Sequence, residues 1–182
     1  MEDMSLHLLD IAENSVEAGA KRIDVRVEEN SRLDLLTLKI SDDGRGMDKV
    51  LLKKAMDPFV TTKKTRRIGL GLPLLAQAAE AAGGTIALSS RPGRGTKVRA
   101  TFRLSHIDRQ PLGDIAQTLA VLIAGHPDIE IRYAHRTDGW TYVFNTRNFR
   151  AQLESVSLAT PQALALIKKD INDGLTRIRR TS

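Results

Sequence analysis

The sequence predicts an α+β fold: an N-terminal domain over residues 1–106 and a smaller α+β extension over 107–182. Three observations predict it. Apolar residues recur at three-and-four spacing in some segments and at every second position in others, the periods of helix and strand. Eight of the 13 glycines fall between Gly44 and Gly95, so the first part places its unusual residues in loops. Five of the seven aromatic residues fall between Tyr133 and Phe149, so the second part places its own in aromatic packing.

Residues 5–18 read as a helix, with Met4, Leu8, Ile11 and Ser15 on one stripe, Leu9, Ala12 and Val16 on the next, and Gly19 as the stop. Ile23, Val25 and Val27 alternate with charged residues, a half-buried strand. Leu33 to Ser41 is a second strand, joined to the first by a turn at Asn30-Ser31. Asp48 caps a short helix running to about Met56. Residues 57–68 lack periodicity and hold Lys63, Lys64, Arg66 and Arg67, a basic loop. Gly69 to Ala82 is a helix that tolerates Pro73 in its first turn and ends at Gly83-Gly84. Thr85–Ser90 and Thr96–Leu104 are strands around the turn Arg91-Pro92-Gly93-Arg94-Gly95. A linker at Ser105–Pro111 leads to a helix at 112–125 and a hairpin pairing 128–136 with 140–146 about Asp138-Gly139. A last helix covers 161–178, with Thr160 as cap and Pro161 at its first position.

Composition narrows the function. A 41% apolar and 27% charged chain excludes wholesale disorder. The absence of cysteine excludes a disulfide scaffold, a thiolate zinc site and a cysteine nucleophile, and suits the cytoplasm. No apolar run approaches the roughly 20 residues of a membrane span, and the acidic start Met1-Glu2-Asp3-Met4 is unlike a signal peptide. With 28 Lys and Arg against 22 Asp and Glu, the net charge of +6 suits nucleotides, nucleic acid or an acidic partner.

Four features could carry chemistry. Asp10 and Asn14 sit one helical turn apart on one face, where an amide oxygen suits Mg²⁺ and a carboxylate suits activation of water; a plain polar stripe has the same spacing. Asp42-Asp43-Gly44-Arg45-Gly46 follows a strand, where glycine lets backbone approach a ligand, or simply makes a tight turn. Gly69-Leu70-Gly71-Leu72 stands at a helix start, exposing amides to an anion. Gly93-Arg94-Gly95-Thr96 sits between strands, where a hairpin turn is equally at home. Neither a P-loop nor a dinucleotide-binding fingerprint occurs.

Taken in order, these motifs resemble the histidine-kinase-like ATPase superfamily (GHKL, the Bergerat fold), which also holds gyrase, Hsp90-type chaperones and mismatch-repair ATPases. The segment from Leu9 to Ala20 is similar to the N-box, and Asp42 to Met47 to the first glycine box. Asp57-Pro58-Phe59-Val60-Thr61-Thr62-Lys63 is similar to the phenylalanine box of histidine kinases. Gly69 to Leu72 and Gly93 to Thr96 resemble the second and third glycine boxes. The resemblance covers about residues 5–104.

It implies a two-layer α/β sandwich, a mixed sheet with helices on one face, and it implies ATP and Mg²⁺. By position, Asn14 ligates the metal, Asp42 accepts from the adenine amino group, and Gly44, Gly46 and Met47 lie close to the base. Gly95 and Thr96 hold that end, Thr96 through a water. Thr62, Lys63, Gly69, Gly71 and Leu72 form or border the lid over the triphosphate. Asp10, the candidate catalytic residue, takes the place of the glutamate that activates water in gyrase-type relatives; histidine kinases carry asparagine there. Arg67 replaces a further glycine of many kinases and brings a cation toward the phosphates or faces solvent.

Only 13 residues precede Asn14, and none of His7, His106, His126 and His135 is followed by an acidic residue, so a self-contained two-component kinase is not expected. The reading that remains is a regulatory kinase or ATP-dependent switch acting on a partner protein, a response regulator or a sigma/anti-sigma-type factor. Its alternatives are a slow gyrase-type ATPase using Asp10 and a non-catalytic ATP sensor. A homodimer is allowed. A nucleic-acid partner is not expected, since residues 107–182 carry only 10 − 8 = +2. The cluster Tyr133, Trp140, Tyr142, Phe144 and Phe149 suits a small core or a partner face, with Trp140 and Tyr142 on one face of a strand.

Overall fold

The helix α1 (Met4–Glu17) starts where Asp3 accepts a hydrogen bond from the Leu6 amide at 3.2 Å. Its Met4, Leu8, Ile11 and Ser15 are buried, which is the first stripe the spacing predicts; of the adjacent stripe Ala12 is buried and Leu9 and Val16 are half-buried. Burying a leucine or isoleucine side chain contributes about 1.5–3 kcal/mol, so this face anchors the helix. Gly19, at φ +75, ends it. The structure, a computed structural model, describes residues 3–56, 71–153 and 156–180.

β1 (Arg22–Asn30) and β2 (Leu35–Asp42) pair antiparallel, with Val25 opposite Ile40 and Val27 opposite Leu38. β2 begins at Leu35 rather than Leu33 because Asp34 turns the chain at φ 51. Its carboxylate fixes that turn, accepting from Arg103 Nε at 2.8 Å and from the Ser105 amide and hydroxyl at 2.8 and 2.7 Å. Those bonds, Arg103 foremost, lower its pKa to about 2. Asp48 caps α2 (Lys49–Lys54), accepting from the Val50 and Leu51 amides. α3 (Gly71–Ala81), β3 (Ile86–Ser90) and β4 (Thr96–Arg103) follow, and β4 pairs antiparallel with both β3 and β2.

The C-terminal segment adds α4 (Ile115–Gly125), β5 (Glu130–Arg136), β6 (Thr141–Asn145), α5 (Thr146–Gln152) and α6 (Pro161–Arg180). α4 starts later than residue 112 because Gly113 takes φ +74 and Asp114 is the cap, accepting from the Gln117 amide. The short α5, capped by Asn145, has no counterpart in the sequence reading. Trp140 precedes β6, so it does not share a strand face with Tyr142; its carbonyl accepts from the Thr137 amide, and it is 57% exposed.

β5 pairs parallel to β1, and the result is one mixed six-stranded sheet in the order β3-β4-β2-β1-β5-β6. Across it, Val98, Ile40, Val25, Tyr133 and Phe144 form one buried row, drawn from both halves of the chain. α1, α3, α4 and α6 cover that face, packed side by side in the order α3-α1-α4-α6. Of the aromatic cluster, Tyr133 and Phe144 enter this core and Tyr142 and Phe149 pack at its margin. Tyr133 and Glu29 flank the buried His135, at 2.9 Å from its Nδ1 and 2.7 Å from its Nε2. His7 is also buried, with Nε2 at 3.0 Å from Gln110 Oε1.

Candidate functional site

β2 ends at Asp42, and the groups around its carboxylate define the site. Oδ2 accepts from Ser15 Oγ of α1 at 2.8 Å, and Oδ1 accepts from the amides of Gly44 at 2.9 Å and Thr96 at 3.2 Å. One helix, one loop and the start of β4 therefore converge on one side chain. Three donors against about four lone-pair positions leave one acceptor position, on Oδ2.

Glycine is required where these loops cross. Gly46 lies at φ +66, and a Cβ there would sit 2.0 Å from the Arg91 carbonyl oxygen. Gly95 lies at φ +72, and its Cβ would sit 1.9 Å from that of Asp42. The crossing is tied by Ser90, which sequence reasoning did not single out. Its hydroxyl accepts from the Met47 amide at 2.8 Å, donates to the Gly95 carbonyl at 2.8 Å and meets Thr96 Oγ1 at 2.9 Å. The signal was present, because the predicted hairpin sets Ser90 opposite Thr96.

Asn14, Asp42, Gly46, Met47, Leu72 and Thr96 line a single cleft. Gly44 and Gly95 are not among its lining residues; they lie behind it, Gly44 donating its amide to Asp42 and Gly95 passing against the Asp42 carbonyl. Ile11, Ile40, Val98 and Leu51 make part of it apolar, while Arg45 and Lys54 add positive charge that the sequence reading did not assign. Arg45 Nη1 donates to the Glu17 carbonyl at 3.1 Å, which holds the loop against α1. Asp10 is exposed and is not among the cleft-lining residues. It touches Gly71, where a Cβ would come within 2.9 Å of its own, so the first turn of α3 rests on it. Thr62, Lys63 and Gly69, with Arg67 and the phenylalanine-box segment, lie outside the described residues. Among the described residues no group of three His, Cys, Asp or Glu side chains could hold a metal ion, and no helix is long and apolar enough to cross a membrane.

Residues 3–106 match the family described as histidine kinase-, DNA gyrase B- and HSP90-like ATPase. The chain belongs to that family. As a histidine-kinase-like ATPase it is similar to sensor kinases. It is 40% identical over 110 residues to the sensor protein kinase FleS of Pseudomonas aeruginosa, covering 60% of this chain and 27% of FleS. It is 40% identical over 98 residues to the signal transduction histidine-protein kinase AtoS of Escherichia coli, covering 53% of this chain and 15% of AtoS. The matched segment thus spans less than a third of either relative. The crystal structure of the N-terminal domain of a DNA repair protein superposes with a TM-score of 0.57 at 13% identity, over 85% of this chain and 58% of that one. That likeness is one of fold, and at 85% of this chain it extends past the family-matched segment.

Proposed function

We propose that this histidine-kinase-like ATPase binds Mg·ATP in the cleft and acts as a regulatory kinase or ATP-dependent switch on a partner protein. The carrying observation is the Asp42 carboxylate, fixed by Ser15, Gly44 and Thr96 with one acceptor position left for an exocyclic amino group. The crossing glycines leave no room for side chains beside it, which suits close passage of backbone over a base. Asn14 lines the same cleft and offers a neutral hard oxygen to Mg²⁺. Bound there, the nucleotide would supply a transferable phosphoryl group. Arg45 and Lys54 place positive charge along the cleft, and Leu72 brings the first turn of α3 to its edge.

The test is titration of Mg·ATP into wild type and Asp42→Asn, with thermal unfolding as the control for folding. Losing a charge-assisted acceptor costs about 1.5–3 kcal/mol, so affinity should fall roughly 10- to 150-fold. Equal affinities would defeat the adenine assignment.

One observation favours hydrolysis as a second reading: Asp10 stands one turn from Asn14 and against Gly71, at the helix start that would face phosphates. Phosphate release that is as fast in Asp10→Ala as in wild type would remove Asp10 as the base. Phosphate transferred to a purified response regulator, a partner class drawn from the sensor-kinase relatives, would favour the kinase reading.

A further inference from the structure

The face of the sheet turned away from the helices has its own chemistry. Side chains alternate along a strand, so with Val25, Ile40 and Val98 on the helix side, Arg26, Lys39 and Arg99 fall on the other. The register sets these three side by side, Arg26 opposite Lys39 and Lys39 opposite Arg99. Like charges directly opposite one another destabilise a sheet. Lys39 is relieved by Glu28 at 3.0 Å. Arg26, Lys97, Arg99, Arg132 and Arg136 are exposed on this face, and none has an ion pair among the described residues. Arg132 and Arg136 stand opposite Asp24 and Glu28 in the β1–β5 register, so the cations with no carboxylate opposite them are Arg26, Lys97 and Arg99.

The remaining side chains on the face narrow what it meets. It carries no aromatic residue in its strands, because Phe102, Tyr133 and Phe144 point to the core, so it has no platform for stacking bases. Its exposed apolar side chains are few, with Val143 beside the smaller Ala134, which is too little for a wedge into a bilayer. Asp24, Glu28 and Glu130 stand among the cations and would repel a uniform polyphosphate, yet they match a protein surface of mixed charge with an acidic excess. We infer that this open face docks the acidic surface of a partner protein, on the side of the sheet opposite the helices. That this partner is the one the nucleotide regulates rests on the proposed function. The docking itself needs no nucleotide.

The experiment uses the full chain and a fluorescein-labelled oligoglutamate peptide as probe, with and without saturating Mg·ATP, read by anisotropy. Wild type should bind, more weakly as salt rises. Arg26→Glu with Arg99→Glu should weaken binding roughly tenfold or more. The same charge change made on α6, Lys168→Glu with Lys169→Glu, should leave binding within about twofold. The thermal midpoint of the Arg26/Arg99 pair variant should rise, because Lys39 gains two carboxylate neighbours, and its Mg·ATP affinity should be unchanged.

Equal weakening by the α6 pair would overturn the inference in favour of a general charge effect. A labelled DNA duplex, or vesicles of phosphatidylglycerol, binding wild type more tightly than the peptide would overturn it in favour of another partner class. A lowered midpoint with peptide binding retained would make the row structural. Loss of Mg·ATP binding in Asp42→Asn tests the nucleotide reading separately, since peptide binding should survive that change.

Discussion

Gly93 and Gly95 offer a matched pair of perturbations within one loop. Both hold positive φ, +69 and +72. A Cβ at Gly93 meets nothing within 4 Å, whereas one at Gly95 falls 1.9 Å from the Asp42 carbonyl oxygen, 2.7 Å from its carbon and 2.9 Å from Asp43 Cα. The conformational penalty of alanine in this region is about 1–2 kcal/mol, and Gly93→Ala should show that alone. Gly95→Ala adds an overlap with backbone, which cannot rotate away. Restoring a contact of about 3.5 Å requires the two loops to separate by well over an ångström. That movement breaks the Thr96 amide's bond to Asp42 and the Ser90 bond to Gly95, each net about 1 kcal/mol or somewhat more where the carboxylate is involved. Gly95→Ala should therefore cost about 3–5 kcal/mol in urea unfolding and abolish measurable Mg·ATP binding, while Gly93→Ala binds within about threefold of wild type. Equal destabilisation by the two changes, or wild-type nucleotide affinity in Gly95→Ala, would mean that the loop crossing does not hold Asp42 in place.

Other expectations follow from the two halves of the sheet. The His135 hydrogen bond, opposed by burial and aided by the charges of His135, Arg109 and Arg179, holds Glu29 below its ordinary pKa of 4.5. A carboxylate lowered in the folded state stabilises fully above the unfolded value and loses that contribution as pH falls through the folded one. Thermal unfolding of wild type and Glu29→Gln should therefore differ most above pH 4.5 and converge below it; a constant gap down to strong acid would refute this. Residues 1–106 alone would leave seven positions of β1 without their β5 partners and strip α4 from α1. That fragment should lose cooperative unfolding, and a sharp transition with full Mg·ATP binding would make 107–182 a detachable extension.

Local chemistry carried much of this structure into the sequence. The α1 stripe, the Asp48 cap, the hairpin about Asp138 and the start of α6 at Pro161 all depend on residues within a few positions of one another. The Asp42 cleft was legible for a related reason, since its glycines are needed by the backbone whatever their neighbours. Ser90 was legible only in part: the hairpin sets it opposite Thr96, but its tie to Met47 acts through a crossing of two loops. α5 was not legible, because its cap follows a strand with no intervening turn. The parallel pairing of β5 with β1 depends on residues more than a hundred positions apart, where no periodicity reports. The composition change near Ser105 therefore pointed to an appendage, while the hydrogen bonds run straight across into one sheet.

That pairing also sets a timetable. Ile23 and Ile131 are partners although 131 − 23 = 108 residues separate them. At about 5–20 residues per second, a ribosome delivers β5 roughly 5 to 20 seconds after β1. Throughout that interval the nascent chain presents an unsatisfied strand edge beside the core residues Val25 and Val27, a target for chaperone capture or for pairing with a neighbouring chain. Closure of the sheet is a late, non-local event of the kind that limits folding rates. The Asp42 cleft, built on α1 and β2, gains its full backing only when the last hairpin arrives.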